Sequence, residues 1–454
     1  MASKIRVYGK AQNRTALGIM HAYMTMYPHA TLDDIRQAFP NSLNPDKGTA
    51  EIFIPAEEKG TTANWDGYFV IGGRAPLGIN ATGTVNVTAD AEGNGFGDIT
   101  LAERHASEND ITYHGIAVGK IVSLASTPLP DSDSEKDTRD VRILAKGGVR
   151  NALQDGSAAN IVARNLLVEG GEENIGSEEK PLLVSLEDGA LRARSSKSIY
   201  IKNFDESSIL NICAVFAGDT VSLNSKSGLG YEAGDPLGIG MESYINVGKH
   251  LILTAENGNV GTKNGVNSNP IPLLILNNPG LVIDVTAKNA WLKGRAVNET
   301  KPGVMTLQNV NITKEFGAES EGALVLAEVK DGDGKTVTSV QAEDIDLVAA
   351  TDLTVNGNVE VVDTANLTAH AGDITVNGTV DGSQIFITTD GTKAENETGN
   401  VEINNLITAE NGSISIYTID GEVTVTSIGG LTAQKTGTAY CDSRFLFQLY
   451  EYLV

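Results

Sequence analysis

Side chains that could perform chemistry are few and scattered along this chain. The 454 residues include six His and two Cys, and the two cysteines, Cys213 and Cys441, are far apart. Their number and spacing match neither a metal site nor a disulfide framework. The phosphate loop, the His-Glu-x-x-His zinc motif, the Gly-x-Ser-x-Gly nucleophile elbow and the Cys-x-x-Cys pair are all missing from the sequence. We therefore predict no catalytic residue, no metal ligand, no cofactor and no enzyme activity, and we expect Cys213 to be a small core residue.

Three other positions have side chains of a type that binds cations or moves protons. Residues 93–101 are similar to a calcium-binding nonapeptide, but two glycines are misplaced and no adjacent copy follows to complete a ligand shell. Residues 331–334 read Asp-Gly-Asp-Gly between two apolar segments, which predicts a hairpin turn. His370 lies in a repeated turn where an aligned copy carries Glu410, so we expect a solvated imidazole. None of the three predicts a functional site.

Composition and charge exclude further classes of function. Acidic residues outnumber basic ones 58 to 34, the net charge is −24, and residues 79–454 hold almost all of it. Such a segment lacks the clustered Lys and Arg that bind a phosphate backbone, so we predict no nucleic-acid partner for residues 79–454. No run of about 18 apolar residues predicts a membrane-spanning segment. The amino terminus does not read as a secretory signal, so the chain is expected to be cytoplasmic if it is complete as written.

Residues 1–78 form a region of different composition, with eight Lys or Arg and seven Asp or Glu. Apolar residues at helical spacing over 15–27 predict one amphipathic helix, and a hydroxyl N-cap at Thr31 begins a second that ends before Pro40. Residues 51–54 and 68–71 are typical of two short strands. The order of these elements predicts a small α+β, winged-helix-like module.

Residues 79–433 consist of short Val-, Ile-, Leu- and Thr-rich runs separated by glycine turns. Alternation of apolar and polar residues predicts that each run is a strand with one buried face. Residues 367–376 match residues 407–416 at an offset of 40, which indicates a unit of roughly 20 residues. A longer repeat, at an offset of 85, joins 174–177 to 259–262 and aligns Tyr200 with Trp291.

Strands that repeat over hundreds of residues without helices between them are typical of a parallel β-helix, or β-solenoid. At roughly 20 residues a coil and about 4.8 Å between paired strands, we predict about 18 coils and a rod of roughly 85 Å. The open ends of such a rod need caps. We expect residues 1–78 at one end and the apolar stretch 445–450, in a tail formed by residues 434–454, at the other.

The sequence from Ala255 to Thr262, followed by a Pro-Leu-Leu-Ile strand and the closing residues 290–292, resembles the passenger repeats of bacterial filamentous adhesins. The likeness is to the filamentous haemagglutinin and leukotoxin-like group and covers about residues 80–433. This resemblance implies a structural or adhesive repeat protein at the cell surface or secreted. It also implies a partner that is a host or cell-surface receptor, either protein or glycan.

Two alternatives stay open. A cytoplasmic fusion is one, with residues 1–78 binding nucleic acid or a protein partner, although Arg36 is the only basic residue of the second helix. The other is a polysaccharide-active β-helix enzyme, which needs clustered charged groups and aromatic side chains that stack on sugars. The chain has only two Trp, and a line of outward-facing aromatic residues would favour this second alternative.

Overall fold

The computed structural model describes Ile19, Tyr23, residues 32–40 and most of residues 77–433. The gaps within the second range are 80–82, 92–98, 105–111, 126–139, 187–188, 232–243, 264–269, 299–301, 391–398, 411 and 420. Contacts divide the chain into two units, Met1–Pro76 and Leu77–Val454.

The first unit contains the helix α1, Leu32–Ala38. It lies where the capping and apolar pattern predicts the second helix, and its Ile35 is buried. Ile19 and Tyr23 also have helical backbone, within the segment predicted as the first helix. The rings of Tyr23 and Phe39 pack edge to face with centroids 5.1 Å apart. The two predicted strands of this region lie outside the described residues.

The second unit is built almost wholly from β-strands. The strands are β1 (Leu77–Ile79), β2 (Thr84–Ala91), β3 (Ile99–Glu103), β4 (Ile116–Ala125), β5 (Asp140–Leu144), β6 (Val149–Asn151), β7 (Ile161–Ala163), β8 (Asn165–Glu169), β9 (Leu182–Leu186), β10 (Ala190–Ser195), β11 (Ile199–Asn203), β12 (Leu210–Ala217), β13 (Thr220–Ser225), β14 (Gly228–Tyr231), β15 (Tyr244–Val247), β16 (His250–Val260), β17 (Thr262–Lys263), β18 (Pro270–Ile271), β19 (Leu273–Leu276), β20 (Val282–Arg295), β21 (Val304–Ile312), β22 (Glu315–Ser320), β23 (Ala323–Leu326), β24 (Val329–Lys330), β25 (Thr336–Ala342), β26 (Asp344–Ala349), β27 (Leu353–Val355), β28 (Asn358–Val361), β29 (Thr364–Ala369), β30 (Ile374–Val376), β31 (Val380–Gly382), β32 (Gln384–Thr389), β33 (Val401–Ile403), β34 (Leu406–Ala409), β35 (Ile414–Thr418), β36 (Val423–Val425) and β37 (Gly430–Ala433).

From β22 onward, each coil contributes one strand to each of three parallel columns. Column 1 contains β22, β26, β29, β32 and β35; column 2 contains β23, β27, β30, β33 and β36; column 3 contains β25, β28, β31, β34 and β37. Every strand hydrogen-bonds to its counterparts one coil above and one coil below, which is the pairing of a parallel β-helix. The predicted solenoid-like fold of this region is therefore confirmed.

Columns 1 and 3 continue upstream without a break. Column 1 extends back through β20, β19, β15, β12, β10, β8, β5 and β3 to β1, and column 3 through β21, β20, β16, β13, β11, β9, β7 and β4 to β2. The strand β20 belongs to both columns because its first half pairs with β16 and β21 and its second half with β19 and β22. Each column holds 14 strands among the described residues.

Burial follows the predicted alternation. In β29, the side chains of Ala365, Leu367 and Ala369 are fully buried, and the residues between them face outward. Inward-facing Val, Ile, Leu and Ala from successive coils join into one continuous core along the whole unit. The low aromatic content of the chain suits this interior, because identical small and branched side chains stack directly between coils.

The number of coils is lower than the sequence predicts. Leu347, Leu367 and Ile387 pair at 20-residue steps, but the next partner, Ile416, lies 29 residues further on. Intervals of this size recur upstream, for instance 30 residues from Thr220 to its partner in β16. A coil therefore averages more than 20 residues, and 14 levels replace the predicted 18.

The sequence repeats do not identify equivalent positions. The prediction that Leu367, Ile407, Ile374 and Ile414 point into the core is confirmed, since all four side chains are buried. The two matched segments nevertheless lie on different faces: Leu367 belongs to column 1 and Ile407 to column 3, while Ile374 belongs to column 2 and Ile414 to column 1. Three faces with the same alternation give the same local sequence pattern.

The 85-residue repeat marks a recurring turn. Gly176 and Gly261 both have positive φ, 67° and 80°, and each follows a buried branched residue, Ile175 or Val260. Ile175 bridges to Ile199 of β11 in column 3, whereas Val260 pairs with the second half of β20, which belongs to column 1. The alignment of Tyr200 with Trp291 is wrong for the same reason, because these residues also lie in columns 3 and 1.

Candidate functional site

Cys213 lies inside the solenoid wall. It is the extra residue of a β-bulge in β12, because Leu191 pairs with Ile212 and Arg192 already pairs with Ala214. The residue is only 3% exposed. A buried thiol in this position packs as a small apolar side chain, as predicted, and is shielded from reagents in solvent.

Two imidazoles pair with carboxylates on a neighbouring coil. His370 Nδ1 lies 2.7 Å from Asp390 Oδ2, and His250 Nε2 lies 2.9 Å from Asp284 Oδ2. His370 is exposed, as expected, but its structural counterpart on the next coil is Asp390 and not the aligned Glu410, because Ala369 pairs with Thr389. Within the described ranges, neither imidazole hydrogen-bonds to a hydroxyl or thiol that would act as a nucleophile.

The predicted turn at residues 331–334 is confirmed. The strands β24 and β25 form an antiparallel hairpin, and Gly334 at its tip has a φ of 77°. Asp331 Oδ1 accepts hydrogen bonds from the backbone N–H of Asp333 and of Lys335, so the carboxylate is used to form the turn. Residues 93–98 lie outside the described residues. No group of three or more His, Cys, Asp or Glu suited to a metal ion occurs in the part of the chain that the structure describes.

The outer surface of column 2 bears acidic and amide side chains that connect the coils. The N–H of Asp373 donates to Asp352 Oδ1 at 2.9 Å, the N–H of Asn400 to Asp373 Oδ1 at 2.7 Å, and the N–H of Glu422 to Asn400 Oδ1 at 2.9 Å. Each side chain thus accepts a backbone hydrogen bond from the coil that follows. These bonds fix the register of each strand at its first residue.

A second row of side chains lies at the other end of the same strands. Asn377 Nδ2 donates to Asn356 Oδ1 at 2.8 Å, and Asn404 Nδ2 donates to Asn377 Oδ1 at 3.0 Å. Between the two rows, Thr354, Thr375 and Glu402 occupy the outward positions of successive strands. The face of column 2 is therefore a flat, regular and polar surface with one row every coil.

The largest described concavity is an open groove of about 660 Å³ in the outer wall of column 3. Leu183 and Ser185 of β9 and Lys202 of β11 form its floor, and Phe204 stands at its rim. The residues from Phe204 to Ser208 form a loop after β11 that borders the groove. We call this concavity the β9–β11 groove.

Hydrogen bonds hold the rim of the β9–β11 groove in place. The N–H of Phe204 donates to Val184 O at 2.7 Å, and Asn203 Nδ2 donates to Ser208 O at 2.8 Å. Asp205 Oδ1 accepts hydrogen bonds from the N–H of Ser207 at 2.8 Å and from its hydroxyl at 2.7 Å. Those two bonds hold the pKa of the Asp205 carboxyl below its ordinary value, so it stays an anion and an acceptor.

Exposed aromatic side chains do not form a line on the described surface. Phe204 is 38% exposed beside the β9–β11 groove and Tyr417 is 42% exposed on β35, far along the chain. Trp291, which the sequence left as a possible sugar platform, is only 7% exposed. The extended row of stacking residues that would favour a polysaccharide-active enzyme is not seen among the described residues.

The comparisons with known proteins identify no relative. No family model matches the chain, and no curated protein or solved structure matches it significantly. In the described ranges, no helix combines the length and apolar composition that crossing a bilayer requires. The fold and the geometry of its surface are thus the basis for assigning a function.

Proposed function

We propose that this chain is a structural and adhesive β-solenoid segment of a surface protein of the filamentous adhesin type, and that it has no catalytic activity. The resemblance of residues 80–433 to the passenger repeats of filamentous haemagglutinin and leukotoxin-like adhesins suggests this class. The partner is a host or cell-surface receptor, and the location is the cell surface or the medium.

One structural observation supports the proposal: columns 1 and 3 run through 14 strands without interruption. A fold in which each coil contacts only its neighbours grows in length without needing a larger core. Its side faces consist of repeated outward positions and not of one deep cleft. Such a molecule is suited to holding a binding surface at a distance and presenting it repeatedly.

The electrostatics of the chain give the proposal a clear test. A net charge of −24 disfavours non-specific attachment to cells, whose surfaces are also acidic. We expect the full chain, immobilised on a plate, to retain cultured epithelial cells in a saturable manner at physiological salt. The control is an unrelated acidic protein of similar size and charge. Retention no greater than the control would refute the adhesive function.

The first unit is the place for a second candidate function. Its helix α1 carries Arg36, and the Tyr23–Phe39 contact gives it a packed aromatic pair. These observations favour a small partner-binding module, whose predicted winged-helix form would extend the candidates to nucleic acid. A DNA titration of the full chain distinguishes the two kinds of partner.

A further inference from the structure

We infer that the β9–β11 groove is a binding site for a neutral saccharide. This inference rests on the adhesive function proposed above, and it names the place and the chemistry of one receptor contact. Four properties of the groove support it: its volume, its charge balance, an exposed aromatic ring and an unsatisfied amide oxygen.

The volume and shape suit a small polar ligand. At about 660 Å³ the groove falls within the range of about 300–1,000 Å³ that is typical of ligand sites. It is open along one side, so a ligand that is part of a longer chain can enter without being threaded. The floor is formed by strands of the solenoid wall, which position side chains more rigidly than loops do.

The charged groups of the groove favour an uncharged ligand. Two Lys, Lys202 and Lys226, face three acidic residues, Asp205, Glu206 and Glu256. Lys226 and Glu206 neutralise each other through an ion pair of 2.7 Å. Lys202 forms no ion pair with any residue that the structure describes, and its ammonium group remains a donor beside carboxylate acceptors. A saccharide hydroxyl both donates and accepts, so it matches this mixture, whereas an anion or a cation would meet repulsion from one half of it.

The rim supplies an apolar platform. Phe204 is 38% exposed although it lies in a loop held by backbone and side-chain hydrogen bonds. An aromatic side chain fixed at the edge of a polar groove offers apolar area at little cost in conformational entropy. The C–H face of a pyranose ring packs on such a surface, while its hydroxyl edge is directed toward the polar floor.

The amide of Asn203 provides the second, independent observation. This residue is 3% exposed and lines the groove, and its Oδ1 has no hydrogen-bond partner although its Nδ2 has two. A buried acceptor without a donor is unfavourable. A small movement of the Phe204–Ser208 loop would bring this oxygen within reach of a ligand hydroxyl, which would satisfy it.

The test is direct binding of neutral disaccharides to the full chain. Saturation-transfer difference NMR with cellobiose, lactose and mannobiose should give signals from at least one sugar. Phe204→Ala should weaken its binding by roughly tenfold or more, and Lys202→Ala should weaken it less. The matched control is Tyr417→Ala, which removes an equally exposed ring of column 1 and should leave binding unchanged.

Three results would overturn the inference. These are no signal from any neutral sugar at millimolar concentration, equal binding by the Phe204→Ala variant with an unchanged circular dichroism spectrum, and binding of sialylated or sulfated sugars alone. The cell-retention assay separates this inference from the proposed function. Retention of cells by Phe204→Ala as strongly as by the original chain removes the groove and leaves adhesion, whereas sugar binding without retention of cells removes adhesion and leaves the groove.

Discussion

Replacing Leu367 by Asp is the most direct test of how strand β29 sits in the wall. Leu367 is fully buried between Leu347 on the preceding coil and Ile387 on the following one. Truncating such a side chain costs about 2–5 kcal/mol. The aspartate adds the burial of a carboxylate that has no partner, or the work of keeping it protonated. We therefore expect Leu367→Asp to destabilise this region by at least about 4 kcal/mol.

The neighbouring residue gives a matched control in the same strand. Thr368 faces outward, and its partners Val348 and Thr388 are uncharged. Thr368→Asp adds the same side chain on the solvent side and should change stability by less than about 0.5 kcal/mol.

Hydrogen exchange measured by mass spectrometry is the suitable assay, because long repeat arrays do not always unfold in a single step. A solenoid is stabilised mainly by contacts between adjacent coils. Protection should therefore fall in β26, β29 and β32 of Leu367→Asp and stay unchanged in β10–β13. If both variants lose protection equally, the assignment of inward and outward faces is wrong.

Three further outcomes are expected. Gly261→Ala should cost about 1–3 kcal/mol, because φ is 80° and a Cβ would lie 2.9 Å from backbone oxygens, whereas Gly332→Ala, with nothing within 4 Å, should be nearly neutral; thermal melts compare the two. The Asp205 carboxylate stabilises its loop above its ordinary pKa of 3.8, and this contribution is lost as the pH falls through the lowered value. Ser207→Ala should return the pKa of Asp205 toward 3.8 in a carbon-detected NMR titration, and no movement would contradict the assignment. The full chain should not bind duplex DNA with micromolar affinity at physiological salt because its net charge is −24; a salt-sensitive micromolar affinity would instead identify the first unit as a nucleic-acid-binding module.

Alternation alone was enough to predict which side of each strand faces inward. Leu367, Ile374, Ile407 and Ile414 are all buried as the pattern indicates, since a strand has a period of two whatever sheet it joins. The same argument predicts parallel coils, because strands that repeat without helices between them pair with their own copies.

Which column a strand joins was beyond the same reasoning. Leu367 and Ile407 carry matching sequences on different faces, because all three faces of a coil present the same alternation to solvent and core. Residues 391–398 lengthen one coil and shift every later strand against a fixed 40-residue offset. Column membership depends on the length of each corner, and a local pattern does not contain that quantity.

The β9–β11 groove was also not predictable from the sequence. Its residues come from three successive coils, and none of them belongs to a motif that spacing would reveal. Phe204 follows strand β11 as an ordinary apolar residue, and only the backbone bond to Val184 shows that it is held at a rim. A search of the sequence for an exposed aromatic residue after a strand and before an Asp-x-Ser turn would have nominated it.

The hairpin β24–β25 shows that the wall tolerates an extra element without losing its columns. The strand β25 leaves the antiparallel pair and continues directly into parallel pairing with β21 and β28. At the tip, Gly332 and Gly334 have no neighbouring atoms where a Cβ would be. A foreign peptide placed between Asp331 and Lys335 would thus be displayed on a rigid base, with its ends held close together by the hairpin strands. The solenoid is for this reason a ready scaffold for carrying inserted epitopes.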